Sequence, residues 1–498
     1  VHSHKKQSYQ ISDISLNGQE LYDNMFGNVA TTLSGQPNIG VSSFGAATSK
    51  PVLRGYSGDR FLLTKDGNRI GDLSQSSIDH IVTLDMTEVN EIEILRGPKS
   101  LVYGSNTIGG VINTGIVGNP KIKVENFFNK VLLGNETFNK NLYGNLVSYI
   151  PINNNQINLF FSNRDTGDQT SPIGKLQNTY SKTSQCKMGF TKYNKDRYVN
   201  FVFENFNMDY GIPPSFEGHI NGVDIELYKN TFQINYHRDI YFKKFSQLDV
   251  KYNFIDYEHQ EFESSLNYFS VSLSKKTYDF KIELQSDHLI FGSQLNYKQF
   301  IPAGFYWTPQ TNQFDLSVYC FSEKVFHAFD FLSSFRYGYT YINPNQNNIS
   351  FSNLDNEEIK NKNFNYFSSS IGIRKKIDKI EINSWIMNTM KAPKIEELYS
   401  DGPHLGTYSY EIGQPNLDLE KIYGFESSIA FSGNPFNISL ITFYNYSPYY
   451  YQMNKMGECY EEFVAGQSHP CSGADFIEWG SGSSGWLYKY QTEGIKSL

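Results

Sequence analysis

Residues 51–114 read PVLRGYSGDRFLLTKDGNRIGDLSQSSIDHIVTLDMTEVNEIEILRGPKSLVYGSNTIGGVINT. Short apolar runs recur in this stretch, at 51–55 (PVLRG), 60–67 (RFLLTKDG), 89–97 (VNEIEILRG) and 109–114 (GGVINT). Runs of that length, punctuated by glycine, are the strands of a small mixed sheet. Glycines at 55, 67, 97, 104, 109 and 110 permit tight turns and close backbone approach. Toward the N-terminus, residues 18–33 (GQELYDNMFGNVATTL) have a helical texture. Residues 1–120 are therefore expected to form one compact α+β domain.

Beyond residue 121 the texture changes to strands of period two separated by Asn-, Asp-, Gly- and Pro-rich turns. Leu248, Val250, Tyr252 and Phe254 alternate with Asp249, Lys251 and Asn253. Val199, Phe201 and Phe203 stand opposite Asn200 and Glu204, and Phe436, Ile438, Leu440 and Tyr444 repeat the pattern. One apolar and one polar face suits a lipid-exposed, water-lined barrel and equally a soluble antiparallel sheet. Persistence of the pattern to residue 498 without an intervening helix favours the barrel, with room for roughly 16 strands. The chain stops at YKYQTEGIKSL, at the start of what reads as another strand. Residues 121–498 are accordingly expected to be an incomplete transmembrane β-barrel whose last strands are missing, because free edges are not tolerated in lipid.

The bulk properties agree with that reading and exclude others. The 498 residues carry a net charge of -8, only 19% charged residues, and 36 Tyr with 38 Phe, the rings that barrels place at both lipid–water interfaces. Mean hydropathy is -0.47, and no uncharged apolar run approaches the ~20 residues of a spanning helix. The mild acidity, without long basic runs, argues against nucleic acid as a partner. No nucleophile elbow or acid–base relay is present, so the chain does not read as an enzyme. Cys459 and Cys471 flank a polar loop and are positioned to close a disulfide in an oxidising compartment.

The stretch 51–114 closely resembles the plug domain of TonB-dependent outer-membrane receptors. Arg54-Gly55, Asp66-Gly67, the run Glu93-Ile94-Leu95-Arg96-Gly97-Pro98, Tyr103-Gly104 and Gly109-Gly110-Val111-Ile112-Asn113 follow in the family's order and spacing. The resemblance implies an N-terminal plug lodged in the lumen of a barrel of the 22-stranded type. It also implies a bacterial outer-membrane location in contact with lipid, and active uptake driven by the TonB-ExbB-ExbD complex, with the receptor read as a monomer. A plug in a polar lumen needs buried charges paired with the wall, for which Arg54, Glu93 and Arg96 are the candidates.

Three patches resemble the zinc-uptake branch of that family. They are Ser77-Ile78-Asp79-His80, the segment Asp256-Tyr257-Glu258-His259-Gln260-Glu261, and Glu397-Leu398-Tyr399 running through His404 into LGTYSYEIGQPNL. Carried over by position, the implied zinc ligands are Asp79, His80, Glu261 and His404. Two imidazoles and two carboxylates suit Zn²⁺, and copper or nickel would accept comparable ligands. His219 and His259 are auxiliary candidates, His259 as a partner of a ligand. His404 also lies between Lys391-Ala392-Pro393 and Pro415-Asn416-Leu417, a frame that resembles haem receptors. Uptake of haem or a ferric siderophore thus stands as the alternative, and a structural or adhesive β-protein without transport as the alternative from another class.

Overall fold

The computed structural model describes residues 12–45, 47–121, 123–214, 220–264, 268–345, 354, 357–404, 406–433, 435–464, 467–479 and 486–496. At the N-terminus, β1 (Ser12–Asn17), α1 (Gly18–Asp23), α2 (Val29–Leu33), β2 (Ile39–Ser43), β3 (Ser49–Leu53), β4 (Leu62–Lys65), β5 (Asn68–Arg69), β6 (Val89–Leu95) and β7 (Val111–Ile116) follow in order. Five of these strands make one sheet in the order β1-β6-β7-β4-β5, while β2 and β3 pair separately. The stretch 18–33, which reads as one helix, is two short ones. The second opens at Asn28, whose side chain accepts the Thr31 N–H. Leu16, Leu21, Val29, Leu53, Ile92 and Ile94 close the core between helices and sheet.

β4 and β5 form the tightest hairpin of this domain. Asp66 and Gly67 both have positive φ (49° and 75°), the backbone of a two-residue turn for which Asp-Gly is suited. Only Thr64↔Arg69 and Lys65↔Asn68 pair across it, so β5 is a two-residue edge.

The remaining long strands are antiparallel neighbours in a barrel around this domain. Polar residues at every second position face inward: Asp249 and Asn253 are buried, and so are Asn200 and Glu204. The alternate residues Phe201, Phe203, Phe280, Ile282, Phe291 and Leu295 are exposed on the outside, where lipid would cover them. At one end the strands are joined by turns such as 153–154, 243–244, 286–288 and 378–379; the other end carries the longer connections, among them 305–310 and 392–400. In outer-membrane barrels the short turns lie on the periplasmic side.

The sequence pattern predicts a sheet with two free edges. The strand order is instead that of a closed barrel, with Trp486–Lys496 neighbouring Phe128–Glu136.

The domain fits its lumen through buried ion pairs. Lys65 Nζ on β4 lies 2.5 Å from Glu88 and 2.8 Å from Glu204 on the wall, and the wall's Lys187 lies 2.8 Å from Glu88. Arg60 makes a two-pronged contact with Glu420 at 2.9 and 2.7 Å, and Lys391 reaches Asp59 at 2.9 Å. None of these residues stands out in the sequence, since each pair joins distant parts of the chain.

Candidate metal site at the junction of plug and barrel

Three pieces of chain converge at the long-loop end of the lumen. The first is the loop 72–83 of the N-terminal domain. The Asp72 carboxylate accepts the Ser74 and Thr83 N–H groups at 3.1 and 2.8 Å, which folds the loop on itself and projects Asp79 and His80 from its tip. The second is the strand Phe245–Glu263, whose period of two points Tyr257, His259 and Glu261 inward, all fully buried. The third is the segment after Lys391. There α3 (Ile395–Tyr399) leads into a hairpin of Asp401–His404 and Ser409–Ile412, with His404 opposite Ser409.

These pieces bring Asp79, His80, Glu261 and His404 together. One ligand atom from each lies within 4.8 Å of the others, and all four side chains are at most 2% exposed. Asp79 Oδ2 is 3.3 Å from His404 Nε2 and 3.7 Å from His80 Nε2. Four atoms, Asp79 Oδ2, His80 Nε2, Glu261 Oε2 and His404 Nε2, are buried with no hydrogen-bond partner. Buried polar atoms left without hydrogen bonds are costly, and side chains of these types gathered this closely could hold a cation.

Each ligand is oriented from behind. Ser77 donates to Asp79 Oδ1, and Tyr210 donates its hydroxyl to the Asp79 carbonyl at 3.0 Å. Ser76 Oγ and the Leu73 carbonyl lie 3.0 and 3.2 Å from His80 Nδ1. His259 Nε2 lies 3.2 Å from Glu261 Oε1, leaving Oε2 toward the cluster. Glu411 Oε1 sits 2.7 Å from His404 Nδ1, which fixes the tautomer that presents Nε2. Trp307, from the loop 305–310, stacks on the His404 ring at 4.0 Å. Gly406 passes so close to Asp79 that a β-carbon there would collide with Oδ2.

Burial holds the His80 imidazole neutral, its pKa well below the ordinary histidine range. For Asp79 burial works in the opposite direction, but the facing His404 ring and the Ser77 hydroxyl outweigh it and hold the carboxyl well below its usual range. The neutral His80 imidazole and the ionised Asp79 carboxylate are the forms in which these two side chains bind a cation.

The other expected residues are distributed more widely. Arg54 pairs with Glu426 on the barrel wall. Glu93 lies on β6, where Asn113 of the same domain hydrogen-bonds it, and Arg96 is buried just beyond. The sulfurs of Cys459 and Cys471 are bonded, with Cα atoms 6.1 Å apart. His219 falls outside the described residues. Glu411, Trp307 and Gly406 are not among the residues that the sequence singles out. Glu411 and Gly406 lie inside the quoted LGTYSYEIGQPNL and carry a signal there, whereas Trp307 sits in an unremarkable loop.

Known proteins resemble this chain in its N-terminal domain and in its overall fold. The TonB-dependent Receptor Plug Domain model matches residues 5–111. The vitamin B12 transporter BtuB of Photobacterium profundum is 33% identical over 87 residues, 17% of this chain and 14% of that protein, so the match spans a small part of the relative. The copper transporter OprC superposes with a TM-score of 0.75 at 11% identity, covering 89% of this chain and 72% of that one. The Serratia marcescens hemophore receptor HasR, in complex with its hemophore HasA and heme, gives 0.70 at 10% identity, with 97% and 77% covered. The siderophore receptor PirA from Pseudomonas aeruginosa gives 0.66 at 14% identity, with 97% and 79% covered. At these identities the superpositions speak for the fold. A plug held inside a transmembrane barrel defines the class of plugged outer-membrane receptors. Residues 5–111 match the plug domain of TonB-dependent receptors, and the chain as a whole has the fold of a plug held inside a barrel.

Proposed function

We propose that this chain is a TonB-dependent receptor of the bacterial outer membrane that takes up zinc, energised through TonB-ExbB-ExbD, with Asp79, His80, Glu261 and His404 as the ligands of the transported ion. The observation that carries the reading is the convergence of four buried side chains of ligand type from plug and wall, one ligand atom of each within 4.8 Å of the others. Two imidazoles and two carboxylates form a four-coordinate set of the kind Zn²⁺ accepts. The absence of thiolate from the set suits a cargo that must leave again. Because two ligands belong to the plug and two to the barrel wall, movement of the plug would dismantle the site and release the ion inward.

The test is a titration of the full-length receptor with Zn²⁺, Cu²⁺, haem and a ferric siderophore, repeated on His80→Ala and His404→Ala. Zinc binding lost in both variants is the expected result. Haem binding lost only in His404→Ala, with zinc ignored, would sink the zinc assignment. Copper bound more tightly than zinc would fit the Irving–Williams order and leave the in-cell cargo to be decided by uptake competition.

A further inference from the structure

The loop 72–83 carries two of the four ligands, yet it belongs to no strand or helix of the plug. Its backbone carbonyls have no ladder of amides to accept from, so each needs a donor from elsewhere. Side chains supply them. Lys275 Nζ donates to the Asp72 carbonyl, Lys394 Nζ to the Gln75 carbonyl and Lys50 Nζ to the Ser77 carbonyl. Tyr210 donates to the Asp79 carbonyl at 3.0 Å, and Lys229 Nζ reaches the Thr83 carbonyl at 3.1 Å and its hydroxyl at 2.7 Å.

Four of these five donors stand on the wall. Tyr210, Lys229 and Lys275 project from the strands Arg197–Ile212, Val223–Phe242 and Tyr268–Gln285, and Lys394 immediately precedes α3. Lys50 alone of the five belongs to the plug, on β3. The wall meets the loop at both ends and so fixes its path on either side of Asp79 and His80. An ammonium on a long stem, with three donors, suits such a reach from one body to the other. It also carries a charge of the same sign as a metal ion, and by charge alone it would oppose the ion's arrival. Placed on backbone carbonyls, these lysines act on the shape of the loop.

We infer that Lys275 and Lys394, with Lys229, are positioning residues of the metal site: they hold the loop 72–83 against the wall, so that Asp79 and His80 are aimed at Glu261 and His404 before the ion arrives. This inference rests on the zinc reading above. A loop held in advance does not have to be ordered on binding, whereas a loop freed from its tethers is ordered at the expense of affinity.

The experiment compares Lys275→Met and Lys394→Met with Lys394→Arg, which keeps a charged donor within reach of the carbonyl. Lys298→Met is the control, since Lys298 carries the same charge in the lumen but pairs with Asp315 of the wall at 3.0 Å. Lys229 is left intact because it also lies 3.9 Å from Glu204, in the buried network of Lys65. Lys394→Met leaves Asp59 paired with Lys391, so the barrel should still fold, which its heat resistance on a gel checks. Two quantities are read on purified full-length receptor: zinc affinity by calorimetry, and amide exchange across residues 72–83 without metal.

Both methionine variants should bind zinc about tenfold more weakly and exchange the loop amides faster. Lys394→Arg should recover both, and Lys298→Met should stay near the wild type. Zinc affinity that is unchanged or tighter in the methionine variants overturns the inference, because loss of a repelling charge alone has that sign. Loop exchange that keeps the wild-type rate overturns it too, as does an equal loss of affinity in Lys298→Met, which would assign the effect to the charge balance of the lumen. A wild-type receptor that binds no zinc removes the site reading, a separate failure, and the exchange measurement then still decides whether the lysines hold the loop.

Discussion

His404 is held on three sides: Glu411 behind its Nδ1, Trp307 across its ring, and Asp79 in front of Nε2. The first contact is the one that chemistry singles out. A carboxylate accepting the distal N–H of a ligand histidine fixes its tautomer and raises its basicity, and loss of such a partner costs about 10–100-fold in metal affinity. Glu411→Gln is therefore expected to weaken zinc binding by that order without changing the number of ions bound, as read by calorimetric titration. An unchanged affinity would mean that Trp307 alone positions the ring. Gly406→Ala tests the opposite face. Its β-carbon would press on the Asp79 carboxylate, so zinc affinity should fall while heat-resistant barrel folding, read on a gel, stays intact. Equal zinc affinity in Gly406→Ala would show that the Asp79 loop yields at no cost.

At the scale of elements, β4 carries the charge that locks plug to wall. Lys65 is buried between Glu88 and Glu204, so replacing it with methionine leaves carboxylates facing one another with fewer cations among them. Breaking a buried pair from one side costs about 3–5 kcal/mol, and the low end applies here because Lys187 still reaches Glu88. Lys65→Met should lower plug stability by ~3 kcal/mol in denaturant unfolding, with the barrel transition unmoved. A coincident loss in both transitions would contradict this division of labour. Such locks are hidden in the sequence. RFLLTKDG reads as a strand and a turn, and it forms β4 and its Asp-Gly corner, yet nothing local reveals that Lys65 meets Glu204. The barrel strands are legible for the same local reason: alternation in 248–254 needs no distant partner, and its polar residues do face the lumen. Closure is not legible, because it depends on Trp486–Lys496 meeting Phe128–Glu136 at the other end of the sheet. The metal cluster stands between these cases. Its four residues are drawn from resemblance to a family, and only the folded chain brings them within 4.8 Å.

Across the whole molecule, the cluster draws its residues from two bodies, and on the zinc reading proposed above this has a thermodynamic consequence. A ligand that binds only the assembled site stabilises that assembly by RT ln(1 + [L]/Kd), about 2.7 kcal/mol at a hundredfold excess over Kd. Asp79 and His80 come from the plug, Glu261 and His404 from the wall segments, so neither body holds the full set alone. Zinc should then raise the unfolding free energy of the plug by ~2.7 kcal/mol under those conditions and slow amide exchange across the loop 72–83. Both effects should vanish in His80→Ala and also in His404→Ala, although the second residue is not part of the plug. That shared loss separates a clamp from a site on one body: protection that survives His404→Ala would place the ion on the plug alone. On the zinc reading proposed above, force applied to the plug would work against that linkage in addition to the ion pairs at Arg54, Arg60 and Lys65.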